Sequence, residues 1–107
     1  MPDKNINTVI NKLNEKLAIS FNDFVGTYLY GSRAKGNYTE NSDVDIIIIF
    51  SEKISYEQEK QIAKIIGLLE YENNLFIDYH PYTMDDLKQN PIFLNEVVNK
   101  GFYYEAA

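Results

Sequence analysis

A mixed α and β domain (α+β), with a small sheet flanked by helices, is the fold class that the sequence predicts, and three observations predict it. Apolar residues recur at helical spacing in some segments and as short β-branched runs in others. The two kinds alternate along the chain. Turn-forming residues fall between them, and no internal repeat, low-complexity tract or Pro/Gly/Ser-rich linker divides the 107 residues. The span 1–107 is therefore expected to be a single domain, of a size that buries one modest core without disulfides or a structural metal.

Each element follows from its own residues. Ile6, Val9, Ile10, Leu13 and Leu17 keep a helical period, so a helix is expected over roughly 4–18, with Asp3 or Asn5 as its N-cap. Val25 to Tyr30 reads as a strand. From Gly31 to Ser42 the chain is polar and rich in glycine, asparagine and serine, which suits a turn and a short helical piece. Asp43 to Phe50 is the strongest strand, because Ile46, Ile47, Ile48 and Ile49 are consecutive and β-branched and so suit burial on both faces. It is expected at the centre of the sheet.

Ile62, Ile65, Ile66 and Leu69 mark a second helix over about 56–71, which Asn73-Asn74 breaks before a strand over 75–82. Pro81 limits that strand's pairing. A last helix is expected from Pro91, a good first helical residue, to Lys100, with Gly101 as its stop. Phe102, Tyr103 and Tyr104 then form a short strand or a docked tail.

Composition narrows the function classes. Apolar residues at 45% and charged residues at 24% describe a chain that folds rather than a disordered one. Ten basic against sixteen acidic residues leave a net charge of −6, so direct binding to a nucleic-acid backbone or an anionic membrane is not expected. The absence of cysteine rules out a thiolate zinc site. The polar start Met1-Pro2-Asp3-Lys4-Asn5 is neither a secretory signal nor a membrane span, and a cytoplasmic location is the expectation.

The chemistry concentrates between Gly31 and Asp45. A glycine directly after a strand lets the backbone turn sharply and approach a ligand, and Ser32 after it offers a hydroxyl and an N–H to a phosphate oxygen. Asp43 and Asp45 stand two apart at the start of a strand, so their carboxylates share a face while Val44 points away. Two like charges beside an isoleucine-rich core are unfavourable unless a cation offsets them. Magnesium suits such a site, since it binds through one or two carboxylates together with substrate phosphates. Asp78, in Phe76-Ile77-Asp78-Tyr79-His80, repeats the pattern of a carboxylate in an apolar strand. If the two strands are neighbours, it completes the site and can ligate a metal or take the proton of an attacking hydroxyl.

Taken singly, each feature has a plainer reading. Gly31-Ser32 alone fits an ordinary strand-to-loop turn, and Asp43 and Asp45 fit a capping and a solvent-facing aspartate. Their order and spacing favour the joint reading. Arg33 is expected to reach a phosphate, Lys35 less so; His80 fits an edge position better than a catalytic one, and the nine tyrosines suit the core and an interface. A P-loop is excluded because Asn37-Tyr38 stands where its lysine and hydroxyl residue are required.

Gly31-Ser32, ten residues, then Asp43-Val44-Asp45 resembles the G-S-x10-D-x-D signature of the DNA polymerase β-type nucleotidyltransferase superfamily. With Gly-Ser-Arg-Ala-Lys-Gly in full, and at this length, the chain most resembles its minimal nucleotidyltransferase (MNT) antitoxins, partners of HEPN toxins. The resemblance implies the nucleotidyltransferase fold and Gly31, Ser32 and Arg33 at the nucleotide. It implies Asp43, Asp45 and Asp78 as catalytic ligands of magnesium, with two ions expected. It also implies a hetero-oligomer in which AMP passes from ATP to a tyrosine of a HEPN ribonuclease toxin. Inhibition by binding and occlusion alone, or modification of a small molecule such as an antibiotic, are the alternatives.

Overall fold

The computed structural model describes residues 2–106; Met1 and Ala107, the two ends of the expected span, lie outside it. The elements in order are α1 (Lys4–Ser20), β1 (Phe24–Tyr30), α2 (Ser32–Lys35), β2 (Val44–Phe50), α3 (Tyr56–Asn73), β3 (Ile77–Tyr82), α4 (Met84–Lys88), α5 (Pro91–Leu94) continued by a π-helical turn (Asn95–Asn99), and β4 (Phe102–Glu105).

Local chemistry sets most of these limits. Asp3, rather than Asn5, caps α1, its carboxylate accepting from the Ile6 amide at 2.9 Å. Ser55 and Gln58 form a reciprocal capping box at the start of α3, and the helix ends at Asn74 in the left-handed region with φ 52°. β3 begins at Ile77, two residues later than the sequence suggests, where the Glu70 carboxylate accepts from the Ile77 amide at 2.9 Å. The helix α4 was not foreseen. Its five residues are too few to show an apolar period, although Thr83 and Asp86 carry the capping box that starts it.

The sheet order is β3-β2-β1-β4, with β2 antiparallel to β1, parallel to β3, and β4 antiparallel to β1. A parallel pair needs a crossover, and α3 provides it. β2 is central as expected, and Ile46 to Ile49 are each no more than 2% exposed. Val44, Ile46, Ile48 and Phe50 pack under α1 and α3, while Ile47 and Ile49 face Tyr28, Tyr30, Leu87 and Val97 on the other side. Pro81 lies in an edge strand, where its missing N–H leaves no gap in the ladder.

The last helix departs from expectation by widening into a π-helical turn after Leu94. Gly101 then bends the chain into β4. A side chain there would collide with the backbone oxygens of Val97 and Leu29, so only glycine permits this close passage.

β4 is held on its inner side by a buried polar triad. Asn14, on α1, donates to the Tyr104 carbonyl at 3.0 Å and accepts from the Thr27 hydroxyl at 2.7 Å. Asn14→Ala should therefore lower stability by about 1–3 kcal/mol, because it leaves the buried Thr27 hydroxyl without its acceptor and removes the side-chain tie from α1 to β4. Chemical denaturation would read this as a lower midpoint at unchanged slope.

Candidate active site

Three strands bring the site together at one end of the sheet. Tyr30 of β1 is the register partner of Asp45 on β2, and Asp45 is the register partner of Asp78 on β3. Paired residues share a face, so Tyr30, Asp45 and Asp78 form one row across the sheet, on the side of Ile47 and Ile49. Asp43 stands just ahead of β2 and is exposed. A hydrogen bond from the Val44 amide to the Phe76 carbonyl, 2.8 Å, locks the beginnings of β2 and β3 together.

The turn meets this row directly. Gly31 has φ +74° and ψ −157°, a conformation open to glycine, and a Cβ there would run into Asp45 Oδ2. Ser32 follows as the first residue of α2, half-buried. The expected turn and the expected carboxylate are thus in contact through the absence of a side chain.

Charge gathers where expected. Burial first, then the negative charges of Asp78 and Asp43, push the Asp45 carboxyl above its ordinary value, with His80 opposing. Tyr30 is pushed up to about 12, mainly by burial and then by Asp45 and Asp78, so its phenol keeps its proton. Tyr30 was not foreseen as a site residue. Its signal was parity: it is the last strand residue before Gly31, and register puts it opposite Asp45. Its ring is fixed edge-on against Phe93, centroids 5.4 Å apart.

Among the described residues, no three Asp, Glu, His or Cys side chains are gathered tightly enough to hold a metal ion unaided. The donor set still fits magnesium, which needs only one or two carboxylates when phosphates and waters complete its shell. The mutual repulsion felt at Asp45 is the charge balance that a divalent cation would reverse.

Other candidates fall into place around this row. Arg33, expected to reach a phosphate, is instead buried, 5% exposed, and donates from Nε and Nη2 to the Ser42 carbonyl at 3.2 and 3.0 Å. Lys35 is paired with Glu96 at 3.1 Å. His80 is half-exposed on the edge strand, stacked on Tyr82, with Nε2 at 3.4 Å from Asp78 Oδ1. The Tyr104 hydroxyl bonds Asn7 and that of Tyr103 donates to the Val25 carbonyl at 3.2 Å, so both are engaged in packing.

A cavity of about 550 Å³ lies at the opposite end of β2 and β3, with Glu52, Lys53, Pro81, Tyr82 and Asp86 in its lining. It holds none of the converging groups, and the carboxylate row is the better candidate because chemistry there has its charges in place. A second hollow of about 420 Å³ lies beside the segments that lead into β2 and β3, with Ser42, Asn74 and Phe76 in its wall.

Comparisons with known proteins give the family and the fold. The family described as "Nucleotidyltransferase domain" matches residues 8–101, a span holding the turn and all three aspartates. A Methanocaldococcus jannaschii protein, named provisionally as a protein adenylyltransferase, is 33% identical over 73 residues, 68% of this chain and 71% of its own length. Solved structures share the fold. A provisionally named nucleotidyltransferase from Sulfolobus solfataricus has a TM-score of 0.63 at 21% identity, over 91% of this chain and 77% of its own. A toxin–antitoxin with AMP-PNP also gives 0.63 at 21%, over 90% and 69% of the two chains. A mutant toxin–antitoxin MntA–HpeT gives 0.63 at 19%, over 91% and 72%.

Proposed function

The chain belongs to the nucleotidyltransferase domain family, and from that premise we propose that it is an antitoxin that transfers AMP from ATP to a tyrosine of a HEPN ribonuclease toxin. The span 1–107 acts in this reading as one catalytic domain within a hetero-oligomer. The observation that carries it is the row in which Asp45 and Asp78 sit side by side with the Gly31 turn against Asp45. Similarity to a protein named as an adenylyltransferase supports a protein acceptor, and the toxin–antitoxin structures of the same fold support the partner class.

In this mechanism Gly31 and Ser32 would hold the phosphates, and Asp43, Asp45 and Asp78 would hold magnesium. When bound, the metal would neutralise charge on the phosphate undergoing substitution. Asp78, half-exposed on the outer strand, takes the proton of the incoming tyrosine hydroxyl. That oxygen bonds to the α-phosphorus as the bond to the bridging oxygen breaks, and pyrophosphate leaves with the electron pair. Tyr30, protonated and facing the carboxylates, adds a hydrogen-bond donor without adding charge. The toxin's surface supplies acceptor contacts in this reading.

Incubation with ATP, magnesium and the cognate toxin should give an AMP adduct on a toxin tyrosine by intact-mass and fragment analysis. No adduct, with both proteins folded and bound, would reject the transfer. Protection of cells by Asp43→Asn with Asp45→Asn, binding retained, would favour occlusion instead.

A further inference from the structure

We propose that Arg33 is a positioning residue: a buried strut that sets the separation between the Gly31-Ser32 turn and the Asp43–Asp45 carboxylates. The proposal rests on the nucleotidyl-transfer reading above for its kinetic consequence, but its structural consequence stands alone.

Arg33 lies one residue after Ser32, and its guanidinium ends on the carbonyl of Ser42, one residue before Asp43. One side chain thereby spans the two halves of the motif and bypasses the loop between them. The same Nη2 also reaches the Glu40 carbonyl at 3.4 Å. Only 5% of the residue is exposed, and no carboxylate among the described residues pairs with it. Burying a guanidinium without an ion partner is unfavourable, and here the compensation comes from charge-assisted bonds to carbonyls and from an aromatic face. Its central carbon lies 4.8 Å from the centroid of the Tyr38 ring.

Tyr38 carries the strut onward. Its hydroxyl donates to Asp3 Oδ2 at 2.8 Å, while Asp3 Oδ1 caps α1 through the Ile6 amide at 2.9 Å. The bond to Asp3 raises the Tyr38 phenol above its ordinary value. A polar loop with Gly36, Asn37 and Asn41 has little of its own to hold one shape. Arg33 and Tyr38 anchor it to the start of α1, which packs on the opposite face of the sheet. The planar fork of arginine suits a geometry that must bond carbonyls at its edge and stack on a ring with its face; a lysine ammonium can do only one of these.

Two measurements on the full chain test the strut. Amide hydrogen exchange on the free protein needs no activity: Arg33→Lys should speed exchange across residues 37–43 while α1 and α3 keep wild-type protection. Steady-state transfer to the toxin should show kcat reduced by about tenfold or more in Arg33→Lys and Arg33→Ala, with the KM for ATP changed by less than about threefold. Guanidinium ion should restore part of the Arg33→Ala rate. Tyr38→Phe, which keeps the ring and loses only the bond to Asp3, should show a smaller loss in the same direction. Unchanged loop exchange in Arg33→Lys would overturn the strut, as would a raised KM for ATP at unchanged kcat, which marks a direct phosphate contact. Should wild-type protein transfer nothing, the exchange experiment still decides on Arg33, and the failure belongs to the proposed reaction.

Discussion

Asp45→Asn should lower the rate of AMP transfer by about 10²–10³-fold, the scale on which removal of one group stabilising developing charge is felt, while leaving the fold intact or more stable. Asp45 is the hub of the row: it pairs in register with Asp78, lies against the Gly31 turn and feels the charge of Asp43. Its carboxyl is raised above the ordinary value of 3.8 by burial and by these neighbours. A carboxylate raised in the folded state contributes most to stability below the unfolded pKa and loses that contribution as pH rises through the folded one. At neutral pH the ionised group therefore opposes folding. The amide of asparagine carries no such charge, so the variant should match or exceed wild type in denaturation midpoint at pH 7, and the two should converge as pH falls below 3.8. The measurement is a pair of denaturation curves across that range beside a transfer assay. Full transfer by the variant, or a stability deficit that persists at neutral pH, would remove Asp45 from the proposed role.

Gly31→Ala should be the second large loss, and for a different reason. The backbone there has φ +74° with ψ −157°, a region that side chains disfavour by about 1–3 kcal/mol. The added methyl group would also displace the Asp45 carboxylate, which occupies the space a Cβ would take. Transfer should fall by about 10²-fold, since a shift of roughly an ångström in a reacting group has that consequence. Stability should drop in the same variant, unlike Asp45→Asn, so the pair separates lost geometry from lost charge. Thermal unfolding with single-turnover transfer measures both. Near-wild-type values for both quantities would mean that the turn does not approach Asp45 as described.

Much of this was legible in the residues. The isoleucine run placed β2 at the centre because four consecutive β-branched residues have no polar face to show to water. Gly31, Ser32, Asp43, Asp45 and Asp78 stood out because glycine and aspartate are poor strand residues and their placement beside strands needed another reason. The misreadings share a cause. Arg33 was expected to reach a phosphate because it follows the Gly31-Ser32 turn, yet the loop's carbonyls and the Tyr38 ring surround it. Tyr30 was passed over because an aromatic at a strand end is common, and only register reveals what lies opposite it.

The sequence by itself determined the elements of the central sheet, the motif and the family, because periodicity, turn residues and an ordered set of carboxylates are local properties of the chain. The tertiary structure alone decided that Asp45 and Asp78 are neighbours across a parallel pair, that Tyr30 joins them, and that Arg33 points inward. Strand order and register are set by packing between segments far apart in the chain, and no local pattern encodes which strand will lie beside which.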